Sequence, residues 1–163
     1  MTMLCFDDVN AVLRYDPAAG HLWWKVPGKG RVLSRPAGNL APNGYRYVRV
    51  AGKLELAHRL AWLLMTGDWP VDEIDHENTN SADNRWSNLR PADSSENKCN
   101  KRISSRNTTG FKGVSRTENG RWRAGIALRG KRRSLGRFDT PEEAHAAYAA
   151  AAERLHGEFA RAV

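Results

Sequence analysis

The amino-acid sequence predicts an α+β fold in which a small N-terminal β region precedes a C-terminal three-stranded antiparallel sheet backed by one helix. Residues 45–50 alternate between apolar and basic side chains, as a strand with one buried face does. Residues 121–129 alternate in the same way directly after Asn119-Gly120, a pair that strongly favours a hairpin turn. Residues 140–143 read Thr-Pro-Glu-Glu, which combines an N-cap, an N1 proline and a capping glutamate at a helix start.

The N-terminal part divides into short elements separated by turn signals. They are a helix over residues 6–13, a turn over 16–20, strands over 21–25, 45–50 and 54–56 that form a small antiparallel sheet, a helix over 58–66, and extended segments over 74–76 and 86–90. Asp93 and Glu96 have the spacing of a capping box, so a further helix is predicted to begin there.

The C-terminal part contains a second set of elements. They are strands over residues 111–116, 121–129 and 131–138, and a helix that runs to about His156 and ends at Gly157. Between the two parts, residues 98–110 are polar and basic, which is typical of a linker or an extended arm. We therefore predict one domain over residues 1–103, a basic linker over 104–109 and a second domain over 110–163.

Positive charge is concentrated in the C-terminal part. The whole chain has a formal net charge of +8, but residues 98–163 have a balance of +9 and residues 1–97 a balance of −1. This asymmetry indicates a polyanionic partner gripped mainly by the C-terminal part, although a solvated basic surface would give the same count.

Composition argues against a membrane or secreted protein. No apolar run approaches the roughly 20 residues of a membrane span, and the N-terminus lacks the features of a secretory signal. Cys5 and Cys99 are the only cysteines, which favours two free thiols over one disulfide and is too few for the usual structural zinc site. We expect a cytoplasmic protein, in a bacterial or phage-infected cell, with no structural zinc.

Three side chains between residues 74 and 97 have the chemistry of a metal-assisted phosphodiesterase. Such an enzyme needs hard oxygen ligands for a divalent cation, a base for the attacking water, and stabilisation of the leaving oxygen. Asp75 and Asn97 can supply the oxygens, and the pKa of histidine suits His76 to be the base. An isolated Asp-His pair is usually a surface turn, so the prediction depends on the positions matched around it.

The segment resembles the HNH endonuclease family, in particular its phage and intron-encoded homing members. The matching residues are Ala57 to Trp62, Asp75-His76, the Asn-rich loop after them, Asn84 to Arg90, and Ser95 to Asn97. The resemblance spans roughly residues 40–100. It implies two short strands and a helix around one metal ion, Mg²⁺ or Mn²⁺.

This resemblance also implies a role for each matched residue. His76 is the general base, Asp75 and Asn97 are metal ligands, and Asn88 holds the loop so that the His76 ring is correctly aimed. The last motif position is Asn97 rather than His, which favours a hard cation over zinc. His58 is either a contact near the site or a packed histidine at a helix start, and residues 1–40 have no predicted role.

The C-terminal part resembles the DNA-binding domain of plant ethylene-response-factor transcription factors. The match spans about residues 110–158 and includes Gly113-Val114, Trp122, Leu135 to Phe138 and Ala147-Tyr148. The resemblance implies a three-stranded sheet that enters the major groove of double-stranded DNA, where each base pair presents a distinct pattern. Most of the arginines and both tryptophans that read DNA in the plant domains are replaced here, so the resemblance transfers the fold rather than the target sequence.

Basic residues on the sheet and on the arm before it are predicted to contact DNA. The arm either follows the phosphate backbone, enters the minor groove or is a plain linker. The predicted contacts are Lys112, Arg116, Arg121, Arg123 and Arg132 on the sheet and Lys98, Lys101, Arg102 and Arg106 on the arm.

The sequence therefore predicts a hydrolase that cuts DNA, a metal-dependent HNH endonuclease of homing type, expected to be a monomer or weak dimer. One alternative is a DNA-binding regulator with an inactive nuclease unit, which the presence of Asp75, His76 and Asn97 disfavours. Another is an RNA-binding protein, which is disfavoured because the sheet resembles a reader of duplex DNA rather than an aromatic stacking platform.

Overall fold

The computed structural model describes residues 4–100, 103–104, 107–128 and 131–160. The chain divides into two compact units, Met1–Ala92 and Asp93–Val163, and each is described by itself. Both contain helices and antiparallel strands, so the predicted α+β class is confirmed.

The first unit consists of short elements in an alternating order. They are α1 (Phe6–Asn10), β1 (Leu13–Asp16), β2 (His21–Trp24), β3 (Asn39–Leu40), β4 (Arg46–Val50), β5 (Lys53–Leu56), α2 (Ala57–Thr66), β6 (Glu73–His76) and β7 (Leu89–Ala92). β1 pairs with β2, β4 lies between β3 and β5, and β6 pairs with β7, all antiparallel.

The N-terminal strands differ from the prediction in two ways. The predicted helix over residues 6–13 ends at Asn10, and the chain becomes β1, whose Leu13 is fully buried. The predicted single sheet is split, because β2 pairs with β1 and not with β4. A four-residue strand carries too few alternating positions to distinguish it from the end of an amphipathic helix.

One core holds this unit together. The inward side chains of β1, β2 and β4 pack against α1 and α2, and the largest fully buried members are Val9, Leu13, Leu22, Val48, Val50, Leu60 and Leu63. A smaller cluster of Ala61, Ile74 and Leu89 attaches the β6–β7 hairpin to α2. The β6–β7 hairpin, which carries Asp75 and His76, is therefore anchored to α2.

The segment before β7 is also more compact than predicted. Residues 86–90 were expected to be extended, but Trp86–Asn88 form a 3₁₀ turn and the strand starts at Leu89. The turn brings the Trp86 ring to 5.1 Å from the Trp62 ring, between centroids, and both join the cluster beneath the hairpin. Aromatic packing therefore overrides the extended tendency of this segment.

The second unit begins with α3 (Ser94–Asn100), followed by β8 (Val114–Arg116), β9 (Trp122–Leu128), β10 (Lys131–Phe138) and α4 (Pro141–His156). The predicted capping box of α3 is confirmed: Asp93 N–H donates to Glu96 Oε2 at 2.7 Å, and Glu96 N–H donates to Asp93 Oδ1 at 2.8 Å. The start of α4 is also confirmed, since Thr140 Oγ1 accepts from Glu143 N–H at 3.2 Å.

The sheet of this unit has β9 at its centre and α4 on one face. Alternate residues of β9, Ala124 and Ile126, are buried against Ala144, Tyr148 and Ala151 of α4. The predicted strand over 111–116 starts only at Val114, because Gly113 has a φ of +73°. A Cβ at Gly113 would overlap the Tyr148 ring, so this turn needs glycine.

Among the residues described, no helix is long and apolar enough to cross a membrane. The Cys5 thiol is free and exposed.

Candidate active site

The β6–β7 hairpin places Asp75 and His76 beside α2. Asp75 pairs across the hairpin with Arg90, and His76 pairs with Leu89. Both Asp75 and His76 are buried. Polar side chains are rarely buried without hydrogen-bond partners, so the contacts around these two residues define the site.

Asp75 is held by an ion pair with Arg90. The Nε and Nη2 atoms of Arg90 both lie 2.9 Å from Oδ2 of Asp75. Both partners are largely shielded from water, with side-chain exposures of 14% for Arg90 and 5% for Asp75. Removing one partner of a buried pair is costly, so Arg90 fixes the position of the Asp75 carboxylate.

His76 is oriented by Asn84, which is also buried. The Nε2 atom of His76 lies 3.0 Å from the side-chain oxygen of Asn84. An amide oxygen can only accept a hydrogen bond, so Nε2 carries the proton and Nδ1 carries the lone pair of the neutral ring. The Nδ2 atom of Asn84 donates to Ala82 O at 3.5 Å, which agrees with this orientation of the amide.

The surroundings of His76 favour its neutral form. Burial lowers the pKa of His76, and the hydrogen bond that its ring donates to Asn84 and the charge of Asp75 only partly oppose this effect. A neutral imidazole can accept a proton at neutral pH, which is the property required of a general base.

Two further rings enclose His76. The His58 ring is 5.0 Å from the His76 ring between centroids and nearly perpendicular to it, and the Tyr45 ring lies 5.5 Å from His58 and 6.0 Å from His76. Burial lowers the pKa of His58 to about 3, and burial raises the pKa of Tyr45. His58, whose role the sequence left open, is thus both a packed residue at a helix start and a direct neighbour of His76.

The loop between the two strands is tied together by Asn88. Its Nδ2 donates to Asp83 O at 2.7 Å, and its Oδ1 accepts from Asn78 N–H at 2.9 Å. Within the loop, Arg85 contacts both carboxylate oxygens of Asp83 and lowers the pKa of Asp83 to about 2. Asn88 therefore closes the loop that carries Asn84, while Asn84 itself touches the His76 ring.

The N-terminal hairpin supports the same loop from outside. The Tyr15 hydroxyl donates to Asn84 O at 2.6 Å, and Trp86 N–H donates to Pro17 O at 2.9 Å. Gly20 has a φ of +72°, and a Cβ there would overlap the backbone of Asn84 and Arg85. Residues 15–20, which had no predicted role, thus fix the position of Asn84.

Oxygen donors at the predicted ligand positions suit a hard divalent cation. Asp75 offers a carboxylate and Asn97 an amide oxygen, the ligand types that Mg²⁺ and Mn²⁺ prefer. Asn97 lies in α3 of the second unit, where its backbone N–H donates to Asp93 O at 3.0 Å. Over the described part of the chain, no group of three or more His, Cys, Asp or Glu side chains is placed to hold a metal ion.

The face of the second sheet opposite α4 is basic at one end. Arg123 and Arg137 are directly opposite each other on β9 and β10, and both are exposed. With Arg116 they line a cleft of about 460 Å³ at the β8–β9 turn, which also contains Glu118. Arg121 differs from them, because its Nε lies 2.9 Å from Asp139 Oδ1.

Comparison with known proteins assigns both parts. Residues 55–99 match the HNH endonuclease family, and residues 109–158 match the AP2 domain family. A protein of Acanthamoeba polyphaga mimivirus, named as an uncharacterized HNH endonuclease, is 32% identical over 133 residues, which cover 81% of this chain and 69% of the relative. The chain belongs to the HNH endonuclease family. Its second unit contains a DNA-binding AP2 domain, and no solved structure matches the chain.

The HNH match contains His58 and all four predicted site residues, Asp75, His76, Asn88 and Asn97. Of these four, the structure groups Asp75, His76 and Asn88 around one hairpin of the first unit. It adds Asn84, which the sequence analysis placed in a matching stretch without a role. Asn84 was missed because Asn78, Asn80 and Asn88 belong to the same loop, and residue type alone does not distinguish them.

The AP2 match contains the predicted sheet residues Lys112, Arg116, Arg121, Arg123 and Arg132. The structure adds Arg137, which the register places beside Arg123. The predicted arm residues Lys101, Arg102 and Arg106 lie outside the described residues, as does the side chain of Lys98.

Proposed function

We propose that this HNH-family protein is a metal-dependent endonuclease that hydrolyses DNA phosphodiester bonds. The observation that carries the proposal is the environment of His76, a buried neutral imidazole next to a fixed carboxylate. Asn84 leaves the lone pair on Nδ1 and burial lowers the pKa of His76, so the ring is prepared to accept a proton at neutral pH.

In the proposed reaction, Nδ1 of His76 accepts a proton from a water molecule. The water oxygen forms a bond to phosphorus while the bond from phosphorus to the 3′ oxygen breaks. The electron pair of that bond stays on the 3′ oxygen, which then takes a proton from solvent. The products are a 5′ phosphate and a 3′ hydroxyl. Asn84 and His58 hold the His76 ring during this step, and Asn88 holds the loop that carries Asn84.

We propose Asp75 and Asn97 as the protein ligands of one Mg²⁺ or Mn²⁺ ion. Such an ion supplies stabilisation of negative charge on the phosphate and on the leaving oxygen. Arg90 holds the Asp75 carboxylate in position for this role through two contacts to Oδ2. We expect no structural zinc.

We propose that the second unit provides site preference by binding duplex DNA through the exposed face of its sheet. Arg123 and Arg132 are the contacts we retain first on that face, and Arg137 joins them because it lies beside Arg123. Arg116 pairs with Trp122 and lies over its ring, so it is retained as a contact of the cleft at the β8–β9 turn. Arg121 is a weaker candidate because Asp139 already neutralises it in part. Lys112 and the arm residues Lys98, Lys101, Arg102 and Arg106 complete the proposed DNA contacts.

Several finer features remain part of the proposal. They are the division into domains over 1–103 and 110–163 with a linker over 104–109, the homing type, the monomeric or weakly dimeric state, and a cytoplasmic setting in a bacterial or phage-infected cell. A viral setting is supported by the mimivirus relative. The alternative, a DNA-binding regulator with an inactive nuclease unit, predicts binding without cleavage.

Plasmid cleavage tests the proposal. Purified protein is incubated with supercoiled plasmid in Mg²⁺ or in EDTA, beside the His76→Ala variant and a His21→Ala control outside the motif. We expect open-circle DNA only with metal and with intact His76, and linear DNA if cuts are paired. Retained binding without cleavage, on plasmids that carry a broad range of DNA, would favour the regulator.

A further inference from the structure

The first unit contains a segment that is rich in cations and lacks acids. Between Asp16 and Glu55 the sequence has seven Lys and Arg residues and no Asp or Glu. The near-zero charge balance of the N-terminal part conceals this segment, because acidic residues are gathered on either side of it. A local excess of this kind creates a positive potential that a net charge does not reveal.

The structure folds part of this segment into a groove. Its floor is the exposed face of the β3–β4–β5 sheet, with Tyr47 and Arg49 of β4 beside Leu54 of β5. The alternate residues of β4, Val48 and Val50, face the core. One wall is the loop between β2 and β3. The groove has a volume of about 640 Å³, which lies within the range of roughly 300–1,000 Å³ that is usual for binding sites.

Four cations line this groove: Lys29, Arg31 and Arg35 from the loop and Arg49 from the sheet. None of the residues that line it is acidic. Four like charges around one groove repel one another, and an anionic ligand would offset that cost. The comparable cleft of the second unit has three arginines but also Glu118.

Folding contacts account for only two of the four cations. The Arg31 guanidinium lies 4.7 Å from the centre of the Trp24 ring, and Arg49 Nη1 donates to Gly52 O at 2.9 Å. Lys29 and Arg35 are exposed, and within the described residues neither makes a hydrogen bond or an ion pair. Their charges are therefore available to a ligand.

We propose that this groove, which we call the Arg35 groove (Lys29, Arg31, Arg35, Tyr47 and Arg49), binds the phosphodiester backbone of the DNA substrate. The inference rests on the proposed DNA binding but adds a second contact surface, outside the residues matched by HNH endonuclease and by the AP2 domain. The chain then holds DNA with the nuclease unit as well as with the AP2 domain. This gives the N-terminal residues a function in binding.

Salt dependence of binding tests the groove. Each lysine or arginine that neutralises a phosphate contributes about 0.9 to the slope of log affinity against log salt concentration. The full chain, Lys29→Gln/Arg35→Gln and a control, Arg14→Gln/Arg154→Gln, are titrated in EDTA with a fluorescent DNA duplex between about 50 and 200 mM KCl. The control removes two exposed positive charges outside the groove.

We expect the groove variant to lose about 1.8 from the slope, so that its affinity falls about 12-fold less over this salt range than that of the full chain. The control keeps the slope of the full chain. A groove variant with an unchanged slope, or a control with an equal loss, would overturn the proposal, provided that circular dichroism shows all variants folded. Because EDTA prevents metal-dependent cleavage, a failure of the nuclease proposal would leave this result unaffected.

Discussion

Replacing Asn84 tests how His76 is oriented. In Asn84→Ala, the Nε2–H group of a buried imidazole loses its acceptor at 3.0 Å. An unsatisfied buried donor costs about 1–3 kcal/mol, and the ring escapes that cost by rotating or by moving its proton. If the productive orientation of the His76 ring becomes less stable by this amount, the cleavage rate falls about 5- to 150-fold, since about 1.4 kcal/mol corresponds to a tenfold change in rate.

Asn84→Asp keeps the size and the acceptor oxygen of Asn84 but adds a negative charge. A carboxylate still accepts from Nε2–H, so the ring remains aligned, and its negative charge raises the pKa of His76. His76 is then protonated, and inactive as a base, up to a higher pH. We expect the acid limb of the rate profile to move to higher pH in Asn84→Asp, whereas Asn84→Ala lowers the rate at every pH.

The assay is single-turnover cleavage with saturating protein between about pH 5 and 8, with affinity measured in parallel in EDTA. The matched control is Asn80→Ala, which replaces an exposed asparagine of the same loop whose side-chain oxygen accepts a hydrogen bond from Ala82 N–H. The orienting role of Asn84 is refuted if Asn84→Ala retains the full rate across this range. It is also refuted if Asn80→Ala loses as much as Asn84→Ala does.

Three further outcomes follow from the same site. In Gly20→Ala the new Cβ displaces Asn84 and lowers the cleavage rate. The control Gly67→Ala, at a similar positive φ with nothing within 4 Å, carries only the backbone strain, and equal rates in the two variants would contradict this expectation. The pKa of His58 is about 3 in the folded chain and about 6.5 in the unfolded chain, so the contribution of neutral His58 to stability is full above pH 6.5 and falls as the pH drops. Between pH 7 and pH 5, the free energy of unfolding of His58→Gln, measured with denaturant, should therefore fall by about 2 kcal/mol less than that of the unmodified chain. Arg90→Gln removes a partner of buried Asp75 and should lower stability by roughly 3 kcal/mol in EDTA, with partial recovery of Tm in Mg²⁺; no recovery would count against Asp75 as a ligand.

Elements with strong local signals could be predicted from the sequence. The β9–β10 sheet and α4 were predictable because an Asn-Gly turn, alternation and a capped helix start act within a few residues. β1 was missed because it has four residues and derives its stability from pairing with β2 and burying Leu13. Such tertiary effects leave almost no local pattern.

The candidate site was likewise predictable only in part from the sequence. Asp75 and His76 stand out because their residue types fit the chemistry at the right spacing. The contact between His76 and Asn84 spans eight residues and depends on a loop shape set by Asn88 and by the Tyr15 hydrogen bond. Charge counting missed the Arg35 groove because the count was averaged over residues 1–97, where acids outside the segment cancel its cations.

If His76 is the base of a DNA hydrolase, the His76→Ala variant loses cleavage and keeps its affinity for DNA. Cleavage rate and DNA affinity are measured on the same samples, in Mg²⁺ for the rate and in EDTA for the affinity, beside His21→Ala. A general base contributes about 10²- to 10⁴-fold, so we predict a rate loss in that range with affinity within about threefold of the unmodified chain. An unchanged rate, or a loss of affinity as large as the loss of rate, would contradict the account.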